Sequence, residues 1–337
     1  MEVSRWKIED RSLLTHIYQI LLFFYHPPFN FSKTSILPSY LPSSIFYLPF
    51  CMPLPPTTYN LQPVAQRLRW SAHTDCGRVR TNNEDSFLGL VLDEQDVRLL
   101  GKIGEAPLDR GYIFAVCDGL GGAKAGEFAS RIAVEKITKM FPSYITKSKL
   151  PHEEETTKTT QLLIELFTEI HRALLLLSAS YDECRGMGTT LTLCWIRQHH
   201  CYFAHIGDSR LYHLPFAEEA SKKTIQQLSE DDTHVGWLFR KGKISEREAK
   251  HHQGRNLLQK ALGAEHQFVT PQVSSFACAP GDRLLLCTDG VTDGLFDHQL
   301  LDIIADAIQD SPARYLVEEA TRQSGRDNAT AIVLEFE

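Results

Sequence analysis

Residues 284–294 read LLLCTDGVTDG. Three leucines and a cysteine, a run that suits a fully buried strand, lead straight into Thr288-Asp289-Gly290, and a second Asp-Gly pair follows at Asp293-Gly294. One Asp-Gly pair is an ordinary turn signal, because Asp tolerates unusual backbone angles and Gly supplies positive φ. Here the pattern recurs. Residues 112–119, YIFAVCDG, are an apolar run ending on Asp118-Gly119, and residues 202–209, YFAHIGDS, end on Gly207-Asp208-Ser209. Three buried-type strands each deliver an aspartate at one end, which raises the expectation of a shared site there.

The rest of the chain sets the frame. Its 337 residues, 43% hydrophobic and 23% charged, have an ordinary globular composition. The net charge of -7 argues against a nucleic-acid surface. None of the eight cysteines forms a CxxC pair, so a zinc knuckle is not indicated. Cys117, Cys194 and Cys287 lie within apolar runs, where thiols act as small hydrophobes. A reducing, cytoplasmic setting follows as the expectation.

Residues 1–66 are rich in Pro, Phe and Tyr without a sustained period, and their longest apolar patch, IYQILLFFY at 17–25, is too short to span a bilayer. No small-residue cleavage site follows it. This segment reads as a disordered extension, with Met52 as an alternative start. Regular patterning begins at about residue 67. Strands are expected at 69–73, 84–92, 112–117, 189–196, 201–207, 209–214, 224–229, 268–276, 282–288 and 329–336. Helices are expected at 125–141, 158–180, 296–308 and 311–323, with a charged helical stretch at 236–252. Many short strands with two early and two late helices do not alternate as a doubly wound sheet does. The pattern predicts an α+β fold: a central antiparallel β-sandwich with helices on both outer faces, four layers in α-β-β-α order, in one domain over residues 67–337.

The polar candidates are Glu84 and Asp85 in NNEDSF, Asp118, Asp208, Asp289, Asp293, and Asp327 in GRDNAT. Each alone reads as a turn or loop residue. Brought together they need neutralising, since two unit charges about 5 Å apart repel by roughly 3 kcal/mol at an effective dielectric near 20. Hard carboxylate oxygens without His or Cys partners suit Mg²⁺ or Mn²⁺ better than Zn²⁺.

The succession TDCGRVRTNNEDSF, VCDGLGGAKAGEFAS, GMGTTLTL, IGDSRLY, CTDGVTDG and GRDNATAIV resembles the PPM family of metal-dependent protein Ser/Thr phosphatases (type-2C phosphatases), over about residues 70–336. The resemblance is closest to the bacterial branch. It implies two Mn²⁺ or Mg²⁺ ions at the end of the sandwich, with a bridging hydroxide that attacks phosphoserine or phosphothreonine esters directly. It implies that Asp118 bridges both metals and that the Gly119 carbonyl ligates one. Asp289 and Asp327 would hold the first metal, while Glu84 and Asp85 contribute directly or through water. Asp208 and Asp293 match a third, weaker site, and Arg80 matches the phosphate-binding arginine. Gly121 and Gly122 match a close backbone passage into the next helix, and Gly186, Gly188, Thr189 and Thr190 match scaffold positions.

Two departures stand out. Leu120 replaces a histidine that some relatives use as general acid. Asp231-Asp232-Thr233 stands where many relatives have Asp-His-Ser, with His234 beside it; residues 235–252 resemble the mobile flap over the site. The implied partners are phosphorylated proteins made by a separate Ser/Thr kinase, and the implied enzyme is a monomer that binds neither nucleic acid nor membrane. The alternatives are another two-metal phosphohydrolase or nuclease, and an inactive PPM-like module that binds phosphoproteins. Occupancy of every core metal position weighs against the last.

Overall fold

The computed structural model describes residues 65–93, 96–121, 125–145, 152–197, 199–219, 223–265, 269–306 and 310–337. The expectations for residues 1–64, and for Gly122, lie outside these. Along the described chain come strands β1 (Arg67–Asp75), β2 (Ser86–Leu92), β3 (Val97–Leu99), β4 (Ile103–Pro107), β5 (Gly111–Cys117) and β6 (Gly119–Leu120), then helices α1 (Ala125–Ile145) and α2 (His152–Ser180). Next are β7 (Gly188–Thr189), β8 (Leu191–Arg197), β9 (His200–Ile206), β10 (Arg210–Leu214) and β11 (Gln226–Gln227), followed by α3 (His234–Arg240) and α4 (Glu246–His251). The chain ends with β12 (Gln272–Ala277), β13 (Arg283–Cys287), α5 (Asp289–Gly294), α6 (Asp297–Ala305), α7 (Pro312–Gln323) and β14 (Ala329–Phe336).

Two six-stranded sheets form, ordered β11-β10-β13-β14-β1-β4 and β12-β9-β8-β5-β2-β3, with antiparallel pairing throughout. The side-chain period of two decides which layer each residue enters. In β5, Tyr112, Phe114 and Val116 face the space between the sheets, while Ile113, Ala115 and Cys117 face α1 and α2. In β14, Ile332, Leu334 and Phe336 point between the sheets, and Ala329, Ala331 and Val333 point to α5, α6 and α7. Three apolar layers result, which is the predicted α-β-β-α sandwich and explains why these strands read as continuous apolar runs.

The element predictions hold best where burial is two-sided; the strand expected at 329–336 is β14 itself. The one expected at 224–229 pairs only over Gln226–Gln227, because β11 is an exposed edge. The gap between the helices expected at 125–141 and 158–180 is shorter, since α1 runs to Ile145 and α2 begins at His152. Pro142 lies inside α1. Strands β3 and β4, at the edges of opposite sheets, were not anticipated. Among the described residues, the seven cysteines are unbridged thiols and no helix is long and apolar enough to cross a membrane.

Candidate metal centre

Strand order brings the carboxylates to one end of the sandwich. β8 runs antiparallel to both its neighbours, so its start lies beside the ends of β5 and β9. Thr190, just before β8, uses that position on both sides. Its Oγ1 accepts from the Asp118 amide at 2.9 Å and shares a hydrogen bond with Ser209 Oγ at 2.8 Å. Thr189 Oγ1 donates to the Asp118 carbonyl at 2.9 Å. Gly207 sits at φ +112°, where a Cβ would lie 2.5 Å from Thr190 Cγ2; only glycine turns Asp208 inward here without strain. The scaffold residues thus fix the backbones of two site aspartates.

On the facing sheet, the end of β13 lies beside the start of β14, placing Thr288-Asp289 next to Asp327-Asn328. Each Asp-Gly pair after β13 reads as a turn when taken alone; the segment is helix α5, which puts Asp289 at its first position and Asp293 four residues later on the same face. Asp118, Asp208 and Asp289 each offer an oxygen to a cluster whose members lie within 4.8 Å of one another. Asp208, expected with Asp293 in a third site, therefore sits with Asp118 and Asp289. Asp293 is gripped by Arg255, at 3.2 Å from Nε and 2.8 Å from Nη2.

Asp85 is buried, and its Oδ2 accepts from both Thr288 Oγ1 and Thr330 Oγ1 at 2.7 Å. Asp85 Oδ1 and Asp289 Oδ1 are buried without a hydrogen-bond partner. Such orphaned carboxylate oxygens are costly unless a cation or proton meets them. Burial pushes Asp85 and Asp208 up to about 7, the neighbouring threonines opposing this at Asp85 and Asp231 reinforcing it at Asp208. Asp118 and Asp289 are raised well above the usual carboxylate range, by burial first and by neighbouring carboxylates second, Asp85 leading at Asp118 and Asp208 at Asp289. Glu84 is raised by burial, with Arg80 opposing. Gly119 packs so tightly on the start of α1 that a Cβ would lie 2.1 Å from the Gly126 carbonyl oxygen, and a Cβ on Gly126 would lie 2.9 Å from Glu84 Oε2. The residues fit hard divalent cations: crowded carboxylates, two of them with an unpartnered oxygen, in a cradle of bare backbone.

Arg80 reaches the cluster from the rim, its Nη2 donating to Asp327 Oδ2 at 2.8 Å. That bond is the main reason its guanidinium is held still more firmly protonated. Sequence reasoning missed Asn328. Its Nδ2 donates to the carbonyls of Cys76 and Asn82 at 2.9 Å, and its Oδ1 accepts from the Glu84 amide at 2.8 Å, so one side chain pins the loop that carries Arg80 and Glu84. The signal was its place directly after Asp327 in GRDNAT.

The residues at the Asp-His-Ser position lie directly before α3, where the flap-like segment begins. Asp231 takes a bidentate bond from Arg210, at 3.0 and 2.7 Å. Asp232 accepts from the Gly207 amide at 3.1 Å and from Lys260 Nζ at 2.7 Å, and its carbonyl accepts from the Gln259 amide at 2.7 Å. Thr233 caps α3 through the Gly236 amide at 2.9 Å. His234 is exposed and stacks on Trp237, turned to solvent. Leu120 pairs in β6 with Gly188.

The model of the family described as protein phosphatase 2C matches residues 105–322. The chain belongs to the protein phosphatase 2C family. It is 32% identical over 268 residues to the serine/threonine phosphatase stp of Listeria monocytogenes serotype 4b, covering 78% of this chain and 93% of that protein. It is also 32% identical over 269 residues to the serine/threonine protein phosphatase PstP of Mycobacterium tuberculosis, covering 79% of this chain but only 44% of PstP; the chain thus spans less than half the length of that relative. The catalytic domain of PstP in complex with two manganese ions superposes with a TM-score of 0.60 at 29% identity, over 80% of this chain and 98% of that one. The 2C-type sandwich is thereby the architecture that the six sequence motifs implied.

Proposed function

We propose that the chain is a metal-dependent protein serine/threonine phosphatase, hydrolysing phosphoserine and phosphothreonine monoesters, with its phosphatase domain over residues 67–337. The observation that carries this is the meeting of Asp118, Asp208 and Asp289 beside two orphaned carboxylate oxygens, with Arg80 at the rim. Family membership and the two manganese ions of the PstP catalytic domain agree with it. Asp118, Asp289 and Asp327, with the Gly119 carbonyl and the Glu84 and Asp85 carboxylates, would hold two Mn²⁺ or Mg²⁺ ions; Asp208 and Asp293 would serve a third. When bound, paired cations offset the charge of the carboxylates and of the phosphate and make water a nucleophile at neutral pH.

The chain's own residues do the rest. Thr288 and Thr330 hold Asp85 by one oxygen and leave the other buried without a hydrogen-bond partner. Asn328 fixes the loop that presents Arg80, whose planar fork suits two phosphate oxygens. Leu120 offers no proton, so protonation of the leaving serine or threonine oxygen falls to solvent within the site. The enzyme acts as a cytoplasmic monomer that opposes a separate Ser/Thr kinase. An inactive phosphoprotein-binding module is disfavoured because each matched metal position keeps its carboxylate.

The test is phosphate release from a phosphothreonine peptide with EDTA, Mg²⁺ or Mn²⁺, beside Asp289→Asn. Metal-dependent release that the substitution abolishes is expected. A folded, Mn²⁺-binding protein that releases no phosphate would instead favour the binding module.

A further inference from the structure

The flap is a basic island on an acidic protein. Residues 235–252, with Arg255 just beyond them, carry six Lys or Arg side chains and two carboxylates, in a chain with a net charge of -7. Both flap acids are used internally. Glu246 accepts from the Asp297 amide at 3.1 Å, and Glu248 closes a capping box with Ser245. Three of the bases are turned inward. Arg240 donates to the Asp231 carbonyl at 2.9 Å, Lys250 Nζ donates to the Leu295 carbonyl and lies over the Phe296 ring, and Arg255 holds Asp293. The inner flap face thereby lines a cavity of about 60 Å³ together with Asp208, Asp289 and Asp293.

Lys241, Lys243 and Arg247 are exposed. Trp237 joins them, 39% exposed. Its ring is stacked by His234, with centroids 5.8 Å apart, and Lys243 Nζ sits 4.6 Å from its centre. An ammonium held over an indole face keeps donors free for a carboxylate and loses little side-chain entropy on binding one. The inward contacts to α5 and α6 fix this plate against the helix that carries Asp289 and Asp293.

We propose that the exposed flap residues Trp237, Lys241, Lys243 and Arg247 dock acidic residues flanking the phosphoresidue of the substrate protein. The proposal rests on the phosphatase reading above and names its substrate class: phosphoproteins with acidic flanks. An acidic protein that must receive a dianionic ester gains encounter rate and orientation from such a local positive field.

Three phosphothreonine peptides with acidic, neutral and basic flanks are compared on the full chain with Mn²⁺, using an aryl phosphate as the flank-free control. The acidic peptide is expected to have a kcat/KM at least about fivefold above the basic one, carried by KM and shrinking with added salt. Lys241→Glu, Lys243→Glu and Arg247→Glu together should erase or reverse that order while aryl phosphate hydrolysis stays within about twofold. A milder set, all three to Gln, guards against misfolding and should erase the order without reversing it. Equal use of all three peptides by the wild type, or a variant that loses peptides and aryl phosphate alike, overturns the proposal. If the wild type cleaves neither peptide nor aryl phosphate, the phosphatase reading fails, and anisotropy of the labelled acidic phosphopeptide then decides: binding lost in the charge-reversed variant supports docking, and unchanged binding overturns it.

Discussion

Arg80 is tethered to the cluster it serves: its Nη2 lies 2.8 Å from Asp327 Oδ2, across 247 residues of sequence. The carboxylate proposed as a metal ligand also orients the proposed phosphate-binding fork. Arg80→Ala should therefore cost hydrolysis far more than metal affinity. Charge-assisted hydrogen bonds of about 1.5–3 kcal/mol translate to a roughly ten- to hundredfold fall in kcat/KM. Calorimetric Mn²⁺ affinity should change little, because Asp327 remains. Asp327→Asn should lose both. Equal loss of Mn²⁺ affinity in Arg80→Ala would place the arginine in the metal site's architecture instead.

The crowded carboxylates predict an inverted pH dependence of stability without metal. Asp85 and Asp208 are pushed up to about 7, and Asp118 and Asp289 are raised as well, from unfolded values near 3.9. The folded state then holds more protons than the unfolded chain above about pH 4, so stability falls as pH rises through the window from about 4 to 7. Saturating Mn²⁺ should reverse this trend, because cation binding requires the deprotonated form and stabilises only the folded site. Melting curves in EDTA and in Mn²⁺ at pH 5.5 and 7.5 check it. A metal increment that does not grow with pH would mean that the carboxylates do not share cations.

Gly290 follows Asp289 at the start of α5, and a Cβ there would lie 1.9 Å from the Asn328 carbonyl oxygen. That neighbour is backbone and cannot swing away. Gly290→Ala should push α5 from β14, disturb Asn328, and through it shift Glu84 and Asp327 together. Overpacking of this kind costs about 1–3 kcal/mol, or roughly 2–4 °C of Tm per kcal/mol for a domain of this size. The larger effect should be on the Mn²⁺-dependent rise in Tm, which should be mostly lost. A variant that melts lower but keeps the full metal increment would show that α5 tolerates the shift.

The sandwich was legible because its strands are buried on both faces: YIFAVC and ATAIVLEF carry no polar residue that would obscure their extent, apart from Thr330 and Glu335. Asp118 and Asp289 were legible because carboxylates at the ends of such runs need a reason. The reach of Asn328 was not, since an Asn after an Asp in a loop carries no periodic signal and its three partners lie more than 240 residues away. Helix α5 was hidden for a different reason. DGVTDG has two glycines in six residues and poor helix propensity, and packing of Val291 into the α5–α7 layer overrides it. The division of Asp208 and Asp293 between different partners likewise depends on Arg255, which lies 38 residues before Asp293 in a stretch without a periodic signal.

The Arg210–Asp231 ion pair supplies the sharpest stability test. Arg210 bonds Asp231 through Nε and Nη2 and donates from Nη1 to Tyr212 Oη at 2.8 Å, and Tyr212 in turn donates to Asp297 at 3.0 Å. Arg210 is held firmly protonated by Asp231 despite its burial. Removing one partner strands the other charge in a poorly solvated site, so Arg210→Met and Asp231→Leu should each destabilise by about 3–5 kcal/mol. Together they remove both charges, and the double variant should lose clearly less than the sum of the singles. The flap should respond as well, because Arg240 donates to the Asp231 carbonyl and Thr233 caps α3 two residues on. Faster amide exchange across α3 is expected in Asp231→Leu. Urea melts of the two single variants and the double variant measure the coupling; strict additivity would show that the bidentate pair does not couple the metal end of β10 to the flap.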